Sequence, residues 1–182
     1  IDFSFGRNDR FLRIEKEFHP KEFFYVVLII GIHVLPLWSK VLNKKDMSEQ
    51  KVVICKDLKS ELQDFLSSLK YDKLFILMDT NTKEKCFPLV EDIPAFQKAP
   101  ILVMEAGDMN KGFVSLAQIW TALSNEGASR NSLLVNLGGG MITDMGGFAG
   151  ATFKRGIRTI NIPTTLMASV DAAVGGKTGI NF

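Results

Sequence analysis

Residues 138–181 read GGGMITDMGGFAGATFKRGIRTINIPTTLMASVDAAVGGKTGIN. The triplet Gly138, Gly139 and Gly140 follows 133–137, a short run with the length and composition of a buried strand. Without side chains the triplet can leave backbone N–H groups uncovered. The segment after it, 143–152, reads as a helix whose N-terminus points at the same place, an arrangement that suits a phosphate. That helix contains Gly146, Gly147 and Gly150, each unfavourable by roughly 1 kcal/mol against alanine in a helix interior. The compensation expected is close approach to a strand or to a ligand. The spacing is not GxGxxG, so the dinucleotide fingerprint does not apply, and a tight strand-to-helix turn without a ligand is the plain alternative.

Strands and helices alternate upstream. Residues 51–55 (KVVIC) form a short apolar strand, Asp57 is placed to cap a helix, and Leu58, Leu62, Phe65, Leu66 and Leu69 recur at helical spacing. A second strand, 74–78, ends in Asp79, Thr80 and Asn81, polar residues at the carboxyl edge where open α/β sheets hold ligands. A turn or helix cap is the competing reading of that tripeptide. Residues 82–100, with Pro88, Pro94 and Pro100, read as irregular helix and connection before the strand Ile101–Met104. Phe113, Leu116, Ala117, Trp120 and Leu123 then mark the buried stripe of another helix, with Trp120 in the core. Pro163 closes a strand at 159–162, and Thr164 and Thr165 offer two hydroxyls where a helix over 166–173 begins. The alternation predicts a parallel, right-handed α/β sheet flanked by helices.

The 182 residues, 46% of them hydrophobic, suffice for one domain with a substantial core. The formal net charge of +2 gives no reason to expect a nucleic-acid partner. Cys55 and Cys86 lack metal-motif spacing and point to a reduced, cytoplasmic protein, and neither His19 nor His33 is followed by a second ligand at helical spacing. The apolar run 23–38 is shorter than the roughly 20 residues of a spanning helix and contains His33 and Pro36, so no membrane association is expected. The first methionine is Met47, and residues 1–46 are read as an upstream extension to a domain occupying 47–182.

The ordered series GGGMITDMGGFAGATFKRG and IPTTLMASVDAAVGGKTGIN resembles the 3-dehydroquinate synthases, NAD-dependent sugar phosphate cyclases, with weaker agreement back to about Met47. The resemblance implies a Rossmann-like N-terminal domain of a two-domain enzyme whose helical, metal-binding domain lies outside the chain. It assigns the NAD pyrophosphate to the backbone of Gly139, Gly140, Met141, Ile142 and Thr143, with Asp144 bordering the cofactor. The adenosine ribose falls to Asp79 and Asn81, and ribose or nicotinamide to Thr164 and Thr165. Where family members carry glycine, glutamate, two variable residues and lysine, this chain has Gly107, Asp108, Met109, Asn110 and Lys111. The resemblance implies cofactor contacts for Gly107, Asp108, Asn110 and Lys111, Asp108 being a shorter acid than the family's and Lys111 serving cofactor phosphate or ribose, with a solvated cation beside a helix start as its plain alternative.

By the same resemblance Lys177 faces both nicotinamide and substrate, Asp171 lies beside the hydroxyl-bearing carbons, and Arg155 binds substrate phosphate, across the interface of a homodimer. The plain alternatives are surface charges and a favourable helix-dipole carboxylate at Asp144. The implied reaction converts 3-deoxy-D-arabino-heptulosonate 7-phosphate to 3-dehydroquinate and phosphate. It proceeds by transient oxidation on NAD, elimination of phosphate, reduction and intramolecular aldol closure. A divalent metal, zinc in the family, is held there by a glutamate and two histidines downstream of the lysine motif. The chain itself is therefore expected to lack cyclase activity. Rival readings are another sugar phosphate cyclase, a metal-dependent polyol dehydrogenase, or a non-catalytic nucleotide-binding remnant.

Overall fold

A computed structural model describes residues 11–12, 25–30, 50–55, 57–174 and 176–182. His19, His33 and Gly175 lie outside the described residues, as do Met47 and most of the run 23–38. Among the described residues no helix is long and apolar enough to cross a membrane.

Among the described residues the strands are, in chain order, β1 Phe11–Leu12, β2 Tyr25–Ile30, β3 Gln50–Cys55, β4 Leu74–Asp79, β5 Ile101–Met104, β6 Leu133–Gly138, β7 Arg158–Pro163 and β8 Ile180–Asn181. The helices are α1 Leu58–Ser68, α2 Thr80–Lys85, the single turn α3 Pro94–Gln97, α4 Phe113–Asn125 and α5 Gly140–Thr152. Six strands form one sheet in the order β3-β2-β7-β6-β4-β5, and β1 pairs with β8 in a separate ribbon. Every pairing in the larger sheet is parallel, as the alternation predicts.

The central strands are apolar on both faces because helices cover both. Leu74, Ile76, Met78, Leu133, Val135 and Leu137 point to the side packed by Leu62 and Leu66 of α1 and Phe96 of α3. Phe75, Leu77 and Leu134 point to the other side, against Leu116, Ile119 and Leu123 of α4 and Ile142, Met145 and Phe148 of α5. Trp120 packs partly buried against this second cluster and donates through Nε1 to the Ala149 carbonyl at 3.4 Å. Asp57 caps α1 by accepting from the Lys59 amide at 3.2 Å.

The chain runs from β4 outward to the edge strand β5, then returns past β4 to lay β6 on its other side and β7 beyond. The carboxyl ends of β4 and β6 therefore flank a topological switch point, where helices on opposite faces part and leave a crevice.

Strand β2 comes from the stretch read as an upstream extension. It is hydrogen-bonded in parallel register to β3 on one side and β7 on the other, with Val27 opposite both Val52 and Asn161. The sheet thus draws on residues ahead of Met47.

Candidate functional site

The register of the sheet sets four strand ends in one row. Asp79 is opposite Met104, Met78 is opposite Leu137, and Gly138 is opposite Pro163, so Met104, Asp79, Gly138 and Pro163 are neighbours at the carboxyl edge. Each strand continues into a segment singled out in the sequence: 107–111, Asp79 with Asn81, the glycine triplet, and the threonine pair.

The helix α5 begins at Gly140, three residues before the predicted start, with Gly139 as its N-cap. No side chain caps it, so the amides of Gly140, Met141 and Ile142 are available to an anion. The Thr143 amide is already used, bonding the Gly139 carbonyl at 3.0 Å, and the buried Thr143 Oγ1 turns back to the carbonyls of Gly139 and Gly140. The threonine pair abuts this turn. The Thr164 amide donates to the Gly138 carbonyl at 3.0 Å, and a Cβ built on Gly139 would stand 3.1 Å from Thr165 Cγ2. Thr165 also accepts from the Ala168 amide at 3.2 Å, which is the capping role of the plain alternative. The helix it opens passes into a π-helical stretch, Ala168–Ala172, whose Ala172 packs toward Gly140. Single π turns are frequent beside functional sites.

Asp79 caps α2 in a reciprocal box. Its Oδ1 accepts from the Thr82 amide at 2.8 Å while its own amide donates to Thr82 Oγ1 at 3.0 Å. Oδ2 forms no hydrogen bond among the described residues. Asn81 is exposed one position into α2.

Gly107 has φ 110° and opens the 3-10 turn Asp108–Asn110; Asn110 Nδ2 donates to the Ala106 carbonyl at 3.0 Å, tightening it. Lys111 is not the solvated cation of the plain alternative. It is only 7% exposed, and its Nζ donates to Asp144 Oδ2 at 2.5 Å. Burial pushes the Asp144 carboxyl above the usual carboxylate range; the Lys111 ammonium pulls it back, and Lys177 and Asp171 act on it weakly in opposite directions.

The Lys177 motif returns to the same place. Lys177 Nζ is hydrogen-bonded to Asp171 Oδ1, both side chains about half exposed. Gly176 adopts φ 66°, in the left-handed region that favours glycine. A Cβ on Gly147 would stand 2.7 Å from Thr178 Cγ2, so the bare second turn of α5 lets the lysine segment cross it. The Gly179 amide then donates to the Asp144 carbonyl at 3.3 Å.

Arg155 is the residue that one chain does not bring to this cluster. It follows the far end of α5, roughly 20 Å along the axis from Gly140 at about 1.5 Å per residue, and it is exposed with φ 73°.

Two features were missed from the sequence. Asn136 and Asn161, buried on β6 and β7, join through Asn136 Nδ2 and Asn161 Oδ1 at 2.8 Å, and α5 covers them with Gly146. Asn181 was quoted only as the last letter of a motif, yet it touches the 107–111 segment. A lone polar residue in an apolar strand was the only signal for the first, and nothing local signalled the second. Among the described residues no group of three His, Cys, Asp or Glu side chains is arranged to hold a metal.

The family model described as 3-dehydroquinate synthase N-terminal matches residues 101–182. A 3-dehydroquinate synthase of Pyrococcus furiosus is 44% identical over 123 residues, 68% of this chain and 37% of the relative. One of Campylobacter jejuni subsp. doylei is 40% identical over 119 residues, 65% of this chain and 34% of the relative. The chain thus spans about a third of the length of these curated relatives. Among solved structures, a 2-epi-5-epi-valiolone synthase from Streptomyces hygroscopicus with NAD+ and Zn2+ bound superposes with a TM-score of 0.59 at 20% identity, over 94% of this chain and 39% of that one. A 2-deoxy-scyllo-inosose synthase complexed with carbaglucose-6-phosphate, NAD+ and Co2+ gives 0.53 at 24%, over 62% of this chain and 32% of that one. At such identities the two structures speak for the fold alone.

Proposed function

We propose that the crevice at the carboxyl edge is the dinucleotide-binding half of a 3-dehydroquinate synthase, since residues 101–182 match the family model described as 3-dehydroquinate synthase N-terminal. The observation that carries the reading is the single row of strand ends, Met104, Asp79, Gly138 and Pro163, which gathers four separately recognised segments at one switch point.

The donors and acceptors fit NAD. Three uncapped amides at the start of α5 suit the pyrophosphate, and the space beside Gly139 and Thr165 closes with the addition of one Cβ. Asp79 Oδ2 can accept from a ribose hydroxyl while Oδ1 stays in the cap. Asp108 and Lys111 border the crevice from the β5 side, and Thr164 and Thr165 from the β7 side. When bound, the dinucleotide supplies reversible oxidation of a substrate hydroxyl. Lys177 and Asp171, exposed and paired, are positioned to orient a hydroxyl-bearing sugar phosphate and to hold a proton between their facing atoms. Arg155, remote from its own chain's crevice, would serve substrate phosphate in a homodimer. No described cluster fits a metal, and no step is drawn through one. Cys55 and Cys86 are free thiols, which supports a cytoplasmic setting.

The full reaction, 3-deoxy-D-arabino-heptulosonate 7-phosphate to 3-dehydroquinate and phosphate, is assigned to the longer protein that the relatives exemplify. Residues 1–182 alone are expected to release no phosphate from that substrate. Calorimetric titration tests the cofactor reading directly: NAD+ should bind the chain, and Gly139→Val should weaken binding about tenfold or more by filling the space in front of the amides. Equal affinity in the variant, or no binding to the parent chain, would refute it.

A further inference from the structure

We propose that Asn181 is a positioning residue for the dinucleotide, locking the 107–111 segment in the shape the cofactor meets; the inference rests on the dinucleotide reading given above. Asn181 lies on β8, opposite Phe11 of β1 on one side and in a parallel bridge with Gly112 on the other. Its amide donates to the Lys111 carbonyl at 2.6 Å, and its Nδ2 donates to the Asp108 carbonyl at 3.0 Å and to Asp108 Oδ2 at 3.1 Å. One residue therefore bonds both ends of the turn that presents Asp108 and Lys111.

The orientation of the side-chain amide follows from its partners. Both atoms it faces on Asp108 are acceptors, so the nitrogen must be on that side; a flipped amide would set oxygen against oxygen. An aspartate at 181 would likewise oppose the Asp108 carboxylate.

The lock also joins two parts of the crevice. From Asn181 the strand leads back through Gly179, bonded to the Asp144 carbonyl at 3.3 Å, to Thr178, seated on Gly147, and to Lys177. Lys111, bonded at its carbonyl by Asn181, holds Asp144 with its ammonium at 2.5 Å. The cofactor turn, the start of α5 and the lysine segment thus form one closed circuit, and Asn181 is where the last of them meets the first. It acts through Asp108 and Lys111.

The test uses the 182-residue chain with NAD+ as the probe, alongside amide hydrogen exchange without ligand. Asn181→Ala should raise exchange at 107–112 and 176–179 about tenfold, leave β4 and β6 unchanged, and weaken NAD+ binding by a similar factor. Asn181→Asp should do the same. Combining it with Asp108→Asn restores a donor facing an acceptor at the side-chain contact, though not at the 108 carbonyl, and should recover part of the lost protection at 107–112, a rescue that a general packing role does not give. Unaltered exchange at 107–112, a uniform rise across the sheet, or failure of the swapped pair to rescue would each overturn the proposal. Should the parent chain not bind NAD+, the dinucleotide reading fails, and the exchange measurements still decide whether Asn181 locks the turn. If Asn181→Ala does not fold, the single and swapped aspartate variants carry the same comparison.

Discussion

The ion pair between Lys111 and Asp144 ties the 107–111 segment to the first turns of α5. Lys111 is nearly enclosed, so removing its carboxylate leaves a cation in surroundings that solvate it poorly. Asp144→Ala is expected to destabilise the fold by about 3 kcal/mol, the lower end of the range for breaking a buried pair, because Asp144 keeps some exposure. Burial raises the pKa of Asp144 and so adds a pH signature. Over the window from the ordinary value of 3.8 up to its folded value, the native carboxyl retains a proton that the unfolded chain has released. Its contribution is therefore complete below that window and lost as pH rises through it. The gap between parent and Asp144→Ala should narrow in urea unfolding as pH rises from the ordinary carboxylate value through the folded one; a gap that widens would contradict the assignment. Single residues were legible only where a motif framed them. Asp79 and Thr165 could be placed at strand ends, but the sequence left open whether each caps a helix or faces a ligand, because one oxygen atom can cap while its neighbour stays free. The enclosure of Lys111 depends on a partner 33 positions away, which local patterning does not reach.

Helix α5 shows how packing overrides propensity. Its glycines read locally as helix breakers, and the triplet before them as loop, so the predicted start fell inside the observed helix. The structure answers the choice between strand and ligand for two of them. A Cβ on Gly146 would lie 2.1 Å from Asn136 Oδ1, and one on Gly150 2.3 Å from Thr159 Cγ2, so the helix lies against β6 and β7 at a distance no other residue permits. Gly146→Ala should therefore destabilise by about 1–3 kcal/mol despite alanine's better propensity, the usual cost of overpacking. Asn136→Ala in the same chain removes the obstructing amide, and the double variant should recover part of the loss; simple additivity in thermal unfolding would show that the two sites do not meet. The strands were the most legible elements, since runs apolar on both faces between polar turns admit few other readings. The π-helical stretch Ala168–Ala172 was not legible, because an ordinary helix has the same composition.

The order of the sheet carries the position of the crevice, and alternation alone predicted parallel strands without giving their order. That order includes β2. Because β2 separates β3 from β7, a chain beginning at Met47 would leave β3 without its described neighbour and expose the edge of β7. Chains 1–182 and 47–182 can be compared by thermal unfolding and exchange at β3. The expected result is a lower midpoint and rapid exchange at 50–55 in the shorter chain, whereas equal midpoints would support a domain that occupies 47–182. The ribbon of β1 and β8 adds a kinetic consequence. Asp108 and Asn181 stand 73 positions apart, so their contact closes a long loop whose entropy must be met before any bond is gained. The central strands can nucleate through nearer neighbours, and the 107–111 turn is then expected to take its final shape late, with a φ-value near zero for Asn181→Ala as its sign.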